Sequence, residues 1–409
     1  MENSSSQIVK NLLNILYWCG IFACGLWGTS YAMGTVHPVI VVLMVAGLSV
    51  SIYKSVKGDD YIKRTLAIPK NDRSPVFDYV RFVAIIFIFI AHVVGSDLSV
   101  SGELAGTPLY GTLDYIRWIS VCTNVLFIML SGALLLPYKK ESILHFYFRR
   151  MARILVPFVI YYMWYVWMAE GVGTSSVLDI IKRMISGDIA SIGADHFWLL
   201  YRILQMYLVI YFIRLLVKNL SYRALTIISG VILLALTACL FLPIETRYSI
   251  EFFCWCSVTI VGYWCAREET RGYDNWLLVV GVAGLIMLYA SLNYLADSTA
   301  ALSNLSPIRL LIGVGIFALF FKLKPFIKNV WFIRLISKYS YSLLLIHYWA
   351  VIKRFSVSLW GISSVMYKGL GTLISIGVCL LVSLVAAYLI DNLIVVTFDT
   401  IISKVKVDD

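Results

Sequence analysis

The chain has 409 residues, 60% hydrophobic and only 14% charged, with a formal net charge of +11 and a mean hydropathy of +0.85. These values exclude an ordinary soluble domain and describe a polytopic membrane protein. In such a protein an excess of Lys and Arg belongs to cytoplasmic loops, so the positive charge reads as topology and not as a nucleic-acid surface.

The first apolar run, Leu12 to Ala32, ends in Ser30-Tyr31-Ala32 as a signal peptide would. Its basic flank is only Lys10, it exceeds the ~7–15 apolar residues of a secretory signal, and a second apolar run follows at once. A retained anchor is expected. Runs of spanning length recur at Leu12–Met33, Val36–Tyr53, Val76–Ser96, Tyr115–Leu136, Ile154–Met168 and Phe197–Val217. They continue at Leu225–Leu242, Phe252–Ala266, Trp276–Leu292, Ile308–Phe321, Tyr341–Val357 and Leu370–Val396. The pattern predicts an all-α integral membrane bundle of about twelve helices, at ~20 residues per crossing. Residues 1–75 form two leading helices and a basic loop, residues 76–396 the core, and residues 397–409 a short tail.

The loops alternate in charge. One set runs Lys54 to Arg73, Lys139 to Arg153, Lys218 with Arg223, Arg267 with Arg271, Lys322 to Lys338, and the tail with Lys404 and Lys406. The other carries Asp97, Glu103, Asp114, Asp179, Asp188, Asp195, Glu245 and Asp297. The positive-inside rule then places both termini in the cytoplasm. The eight cysteines lie in or beside apolar runs, and Cys254 and Cys256 are too close for a metal knuckle and lack a nearby histidine. Neither a metal site nor a disulfide framework is indicated.

The run from Val76 to Ser96 carries three ionisable residues, Asp78, Arg81 and His92. Steps of three and eleven residues return to nearly the same helix face, and a rise of ~1.5 Å per residue separates Arg81 from His92 by ~16 Å. Ionisable groups at that depth usually mark a functional path. A salt-bridged anchor at the helix end plus one hydrogen-bonded histidine is the plainer reading, and both stay open here.

Further on, Asn124 to Leu136 places Ser131-Gly132 inside an apolar helix. Small residues there let two helices approach closely, and packing is the better account of them than a substrate tunnel. The segment Phe146 to Pro157 gathers Arg149, Arg150 and Arg153 on one side of a helix. Guanidinium forks suit phosphate oxygens, although positive-inside topology and anionic lipid headgroups are the better account of such a cluster taken alone. His196 with Trp198 opens a helix, as an interfacial anchor or as a group that binds a polar acceptor. His347, preceded by Ser340 and Ser342, reads alone as a structural histidine, and His37 and His145 suggest nothing.

In this order the motifs resemble the membrane-bound acyltransferase-3 family, whose bacterial members mostly transfer acyl groups, often acetyl, to surface glycans. The resemblance spans about Val76 to Ile394 and lies in Asp78-Tyr79-Val80-Arg81 with His92, Phe127 to Leu135, and Arg149-Arg150-Met151-Ala152-Arg153 with Pro157. It extends to His196-Phe197-Trp198-Leu199 and to Tyr341-Ser342-Leu343 leading to His347. Where the family commonly has glycines flanking the first arginine, this chain has Tyr79 and Phe82.

The resemblance implies a bacterial inner-membrane O-acyltransferase using acetyl-CoA as co-substrate, with a cell-surface or lipid-linked glycan as acceptor. It implies that Arg149, Arg150 and Arg153 hold the donor phosphates, that Arg81, oriented or balanced by Asp78, holds the diphosphate or pantetheine end, and that His92 acts as general base or acyl acceptor. Ser131, His196, Trp198, Ser342 and His347 would line the acceptor side or the tunnel. A proton-coupled transporter or exporter of an envelope precursor is the competing class, because a helix face bearing Asp, Arg and His also suits a proton path.

Overall fold

The computed structural model describes residues 2–58, 60–68, 74–100, 106–295, 298, 302–304, 306–353 and 365–403. All regular elements among them are helical. The leading pair is α1 (Glu2–Met33) and α2 (Pro38–Lys57), followed by the short α3 (Tyr61–Thr65). The core begins with α4 (Val76–Val100), α5 (Pro108–Ser120), α6 (Thr123–Leu135) and α7 (Ile143–Glu170). It continues through α8 (Val177–Ser186), α9 (Trp198–Val217), α10 (Tyr222–Cys239), α11 (Ile244–Cys265) and α12 (Asp274–Tyr294). Last come α13 (Pro307–Lys322), α14 (Trp331–Lys338), α15 (Ser340–Lys353), α16 (Val365–Ile390) and α17 (Val396–Ile402).

Among the described residues nine stretches are long and apolar enough to cross a membrane, one of them Pro108–Leu135, which joins α5 and α6. Three more expected runs are shorter helices, namely the Ile250–Cys265 part of α11, α13 with 16 residues and α15 with 14. The end of the Tyr341–Val357 run lies outside the described residues.

The expected single helix over Tyr115–Leu136 is two helices. At the junction the ladder tightens to three-residue bonds, Cys122 N–H to Ile119 and Asn124 N–H to Val121, and the Thr123 hydroxyl donates 2.7 Å to the Ala84 carbonyl of α4. The break turns Asn124 and the end of α5 toward α4. In α7 Pro157 lacks the N–H that the Arg153 carbonyl would otherwise accept.

Close helix contacts rest on small residues. A Cβ at Gly132 would lie 1.9 Å from the Thr259 carbonyl oxygen, and one at Gly262 would lie 2.1 Å from that of Met129, so α6 and α11 meet backbone to backbone. The expectation that Ser131-Gly132 serves packing fits this contact. The leading pair docks similarly: a Cβ at Gly47 would lie 1.9 Å from the Leu393 carbonyl oxygen, and the Ser51 hydroxyl donates to the Asn392 carbonyl at 2.8 Å. Asn392 and Leu393 belong to a π-helical turn, Asp391–Val395, that joins α16 to α17.

Candidate active site

Three histidines far apart in the chain meet at one chamber. His92 comes from α4, His196 from the short turn Asp195–Phe197 ahead of α9, and His347 from α15. Ring centroids lie 5.0 Å apart for His92 and His347 and 4.9 Å apart for His196 and His347. Tyr348 packs against both His92, at 5.1 Å, and His196, at 4.8 Å. His196 and His347 are buried and His92 is half-buried. The three line a cavity of about 280 Å³ together with Asn124, Trp198 and Asn304.

Backbone carbonyls fix two of the tautomers. His196 Nε2 lies 3.1 Å from the Leu345 carbonyl, and His347 Nδ1 lies 3.0 Å from that of Leu344 and 3.2 Å from that of Leu343. A carbonyl only accepts, so those nitrogens carry the protons, and in the neutral rings Nδ1 of His196 and Nε2 of His347 present lone pairs. Both of these nitrogens are buried and have no hydrogen-bond partner among the described residues. The chamber therefore concentrates proton-accepting nitrogens, and its described lining includes no carboxylate. Its far wall is polar and braced, with Asn124 Nδ2 donating 3.2 Å to Asn304 Oδ1, which also accepts from Arg309 at 3.0 Å.

A second cavity of about 790 Å³ opens below the first along α4 and α15. Five cations line it: Arg64, Arg81, Arg153, Arg334 and Lys338. Ser131, Tyr207 and Tyr341 are among its uncharged walls. Arg81 is set by Asp78, which is buried, lies 3.7 Å from Arg81 Nη1 and accepts 2.5 Å from the Ser337 hydroxyl. Arg81 also reaches Ser337 Oγ at 3.4 Å. The Asp78/Arg81 pair is thus both an ion pair at a helix end and part of the cavity wall. Lys338 donates to the Arg64 carbonyl. Burial pushes its ammonium down to about 8, with Asp391 opposing the shift and the nearby Arg64 adding to it.

Leu344 lines both cavities. On α15 the cationic cavity takes Ser340 and Tyr341, with Lys338 at the end of the preceding α14; the shared wall is Leu344, and His347 lies one turn beyond, in the chamber. At ~1.5 Å per residue, Ser340 and His347 are ~10 Å apart along α15, against the ~16 Å between Arg81 and His92 on α4.

The other candidates fall elsewhere. Arg150 is held by Glu141 at 3.1 Å and stacks 4.0 Å over the Phe146 ring, so of the arginine cluster Arg153 lines the cavity and Arg150 does not. Glu141 also pairs at 2.7 Å with Arg214, which is buried and donates to the Leu135 carbonyl. Burial raises the Glu141 carboxyl, yet the two guanidiniums hold it below its usual range. The Arg149 side chain lies outside the described residues. Ser342 donates 2.6 Å to Asp391 in the π-helical turn and lines neither cavity. Sequence reasoning missed Arg64, Arg334 and Lys338, which it took for topology alone, and Asn304 and Asp391, which stood in no motif.

A family model described as an acyltransferase domain matches residues 75–391, well over half of the chain and the whole of both cavities' walls except Arg64 and Ala67. No curated protein and no solved structure matches it. The leading helices α1 and α2 lie outside the matched region. The chain belongs to the acyltransferase-3 family and is a membrane acyltransferase.

Proposed function

We propose that this acyltransferase takes an acetyl group from cytoplasmic acetyl-CoA and delivers it to a hydroxyl of a cell-surface or lipid-linked glycan in the bacterial inner membrane. The observation that carries the reading is the shared wall at Leu344, which sets a cationic cavity end to end with a histidine chamber. Five cations around one cavity suit the phosphates of a nucleotide donor, through charge-assisted hydrogen bonds. Its extended thioester arm then runs along α15, past Leu344, to the imidazoles.

In the chamber an imidazole nitrogen of His92 accepts the proton of the acceptor hydroxyl as its oxygen attacks the thioester carbonyl. The C–S bond breaks, and the departing thiolate takes up the proton. A covalent variant has the imidazole attack first and the sugar oxygen attack the acyl-imidazole afterwards, releasing the same products. In either course His347 and His196, with tautomers set by backbone carbonyls, orient and polarise the reacting groups. Asn124 and Asn304 offer amide hydrogen bonds to sugar hydroxyls.

Calorimetry of acetyl-CoA with the purified protein tests the donor site. Saturable binding by wild type, weakened at least tenfold in Arg153→Ala and in Arg334→Ala, is the expected result. Absence of binding by folded wild type refutes acetyl-CoA as the donor.

A further inference from the structure

A third cavity, of about 600 Å³, lies between α1 and the α16 end of the core. Among its described lining there is no Asp, Glu, Lys, Arg or His. On the α1 side it is walled by Gly25, Gly28 and Ala32, and on the α16 side by Leu381, Val385 and Leu389. Both walls belong to stretches long and apolar enough to cross a membrane, and Trp27, Leu381 and Val385 are exposed on the outside of the protein beside it. In a bilayer such a groove opens to hydrocarbon, which selects an apolar chain as its occupant.

Its inner end is not purely apolar. Trp164 and Trp349 line it, both are more than nine-tenths buried, and the indole N–H of each has no hydrogen-bond partner among the described residues. A buried donor without a partner is unfavourable unless a ligand supplies the acceptor. The hydrocarbon of ordinary lipid tails offers none. The oxygen atoms where a tail joins its headgroup do.

The same two tryptophans connect to the histidines through Tyr165. Trp349 follows His347 by two residues on α15, and its backbone N–H donates 3.0 Å to the hydroxyl of Tyr165. Tyr165 is the neighbour of Trp164, and its ring lies 5.5 Å from that of His196. Tyr165 therefore stands between the tryptophans of the groove and His196 of the chamber.

We propose that the groove holds the hydrocarbon tail of a lipid-linked sugar acceptor, with the indole N–H groups of Trp164 and Trp349 donating to the oxygen atoms at the tail's head. The leading helices, which lie outside the acyltransferase region, then serve to present a membrane-borne acceptor to the histidines. This inference rests on the proposed transfer to a glycan, and it narrows the acceptor to one that is still attached to lipid.

Gly28 permits a test that spares the fold, because a Cβ there meets nothing within 4 Å, and Gly20 on the same helix is equally open but lies outside the groove. Gly28→Phe fills the groove and Gly20→Phe is its control. In nanodiscs, two photoreactive probes with identical tails are compared, a lipid-linked disaccharide and phosphatidylglycerol. The lipid-linked probe is expected to label α1 and α16 preferentially. That labelling should fall about tenfold in Gly28→Phe, fall about tenfold in Trp349→Phe through loss of one hydrogen bond, and hold in Gly20→Phe. In transfer assays Gly28→Phe should raise KM for the lipid-linked acceptor about tenfold, with wild-type transfer to the same sugar lacking a tail. Equal labelling by both probes, or labelling indifferent to Gly28→Phe, overturns the proposal. Wild type that shows the expected labelling yet transfers to neither acceptor retains the tail site and overturns transfer to a glycan.

Discussion

Replacing Leu344 by Trp puts an indole in the wall between the two cavities. Leu344 is 3% exposed and touches both the 790 Å³ cationic cavity and the 280 Å³ chamber. Lys338 belongs to the preceding helix, α14, and the substitution alters none of the five cations of the cavity. On the proposed reading the arm of the donor must pass Leu344. A displacement of the thioester by about 1 Å is enough to slow a positioned reaction about 10²-fold, equivalent to ~2.7 kcal/mol of barrier. The larger side chain also costs about 1–3 kcal/mol in packing, whereas Leu344→Met, of similar volume, costs under ~1.5 kcal/mol and leaves the passage open. The assay pairs acetyl-CoA affinity with the single-turnover rate of acetyl transfer. Leu344→Trp should keep its affinity within about twofold and lose at least 10²-fold in rate, and Leu344→Met should behave as wild type. A Leu344→Trp protein that transfers at the wild-type rate refutes the passage past this residue.

Other consequences follow from the same geometry. Glu141→Gln leaves the buried Arg214 without its carboxylate and should destabilise the fold by about 3–5 kcal/mol, read as a lowered midpoint of thermal unfolding. With Lys338 pushed down to about 8, its charge is present below that pH and lost above it, so acetyl-CoA affinity should weaken as pH rises from 7 to 9. Lys338→Arg, charged throughout, should flatten this profile, and an unchanged slope would remove Lys338 from the donor site. Gly132→Ala forces apart α6 and α11, whose backbones leave no room for a Cβ, and should lower thermal stability, whereas the same change at the open Gly230 should not.

Periodicity and charge make the bundle legible from the sequence alone. Each of the twelve apolar runs falls mainly on helix among the described residues, and Asp78, Arg81 and His92 do share a face of α4. Spacing along one helix is a local property that sequence records directly. The meeting of His92 with His196 and His347 is not local. It depends on the docking of α4, α15 and the turn before α9, and each histidine alone reads as an anchor or a core residue.

The arginine cluster divides for a related reason. The spacing of Arg150 and Arg153 does bring them to one side of α7, but Glu141, outside that helix, captures Arg150 together with the distant Arg214. Positive-inside charge hid the cavity-lining Arg64, Arg334 and Lys338, because residues that fix topology and residues suited to phosphate are the same types. The break at Val121-Cys122 carries neither proline nor glycine, so no breaker signal announced it.

The central claim is that the histidine chamber performs the chemistry on a donor held in the cationic cavity. Its most direct test is a single turnover of labelled acetyl-CoA by purified wild type and His92→Ala, with donor binding measured on the same samples. The account predicts that His92→Ala binds acetyl-CoA as wild type does and transfers no label to a glycan acceptor. Transfer by His92→Ala at the wild-type rate would contradict it.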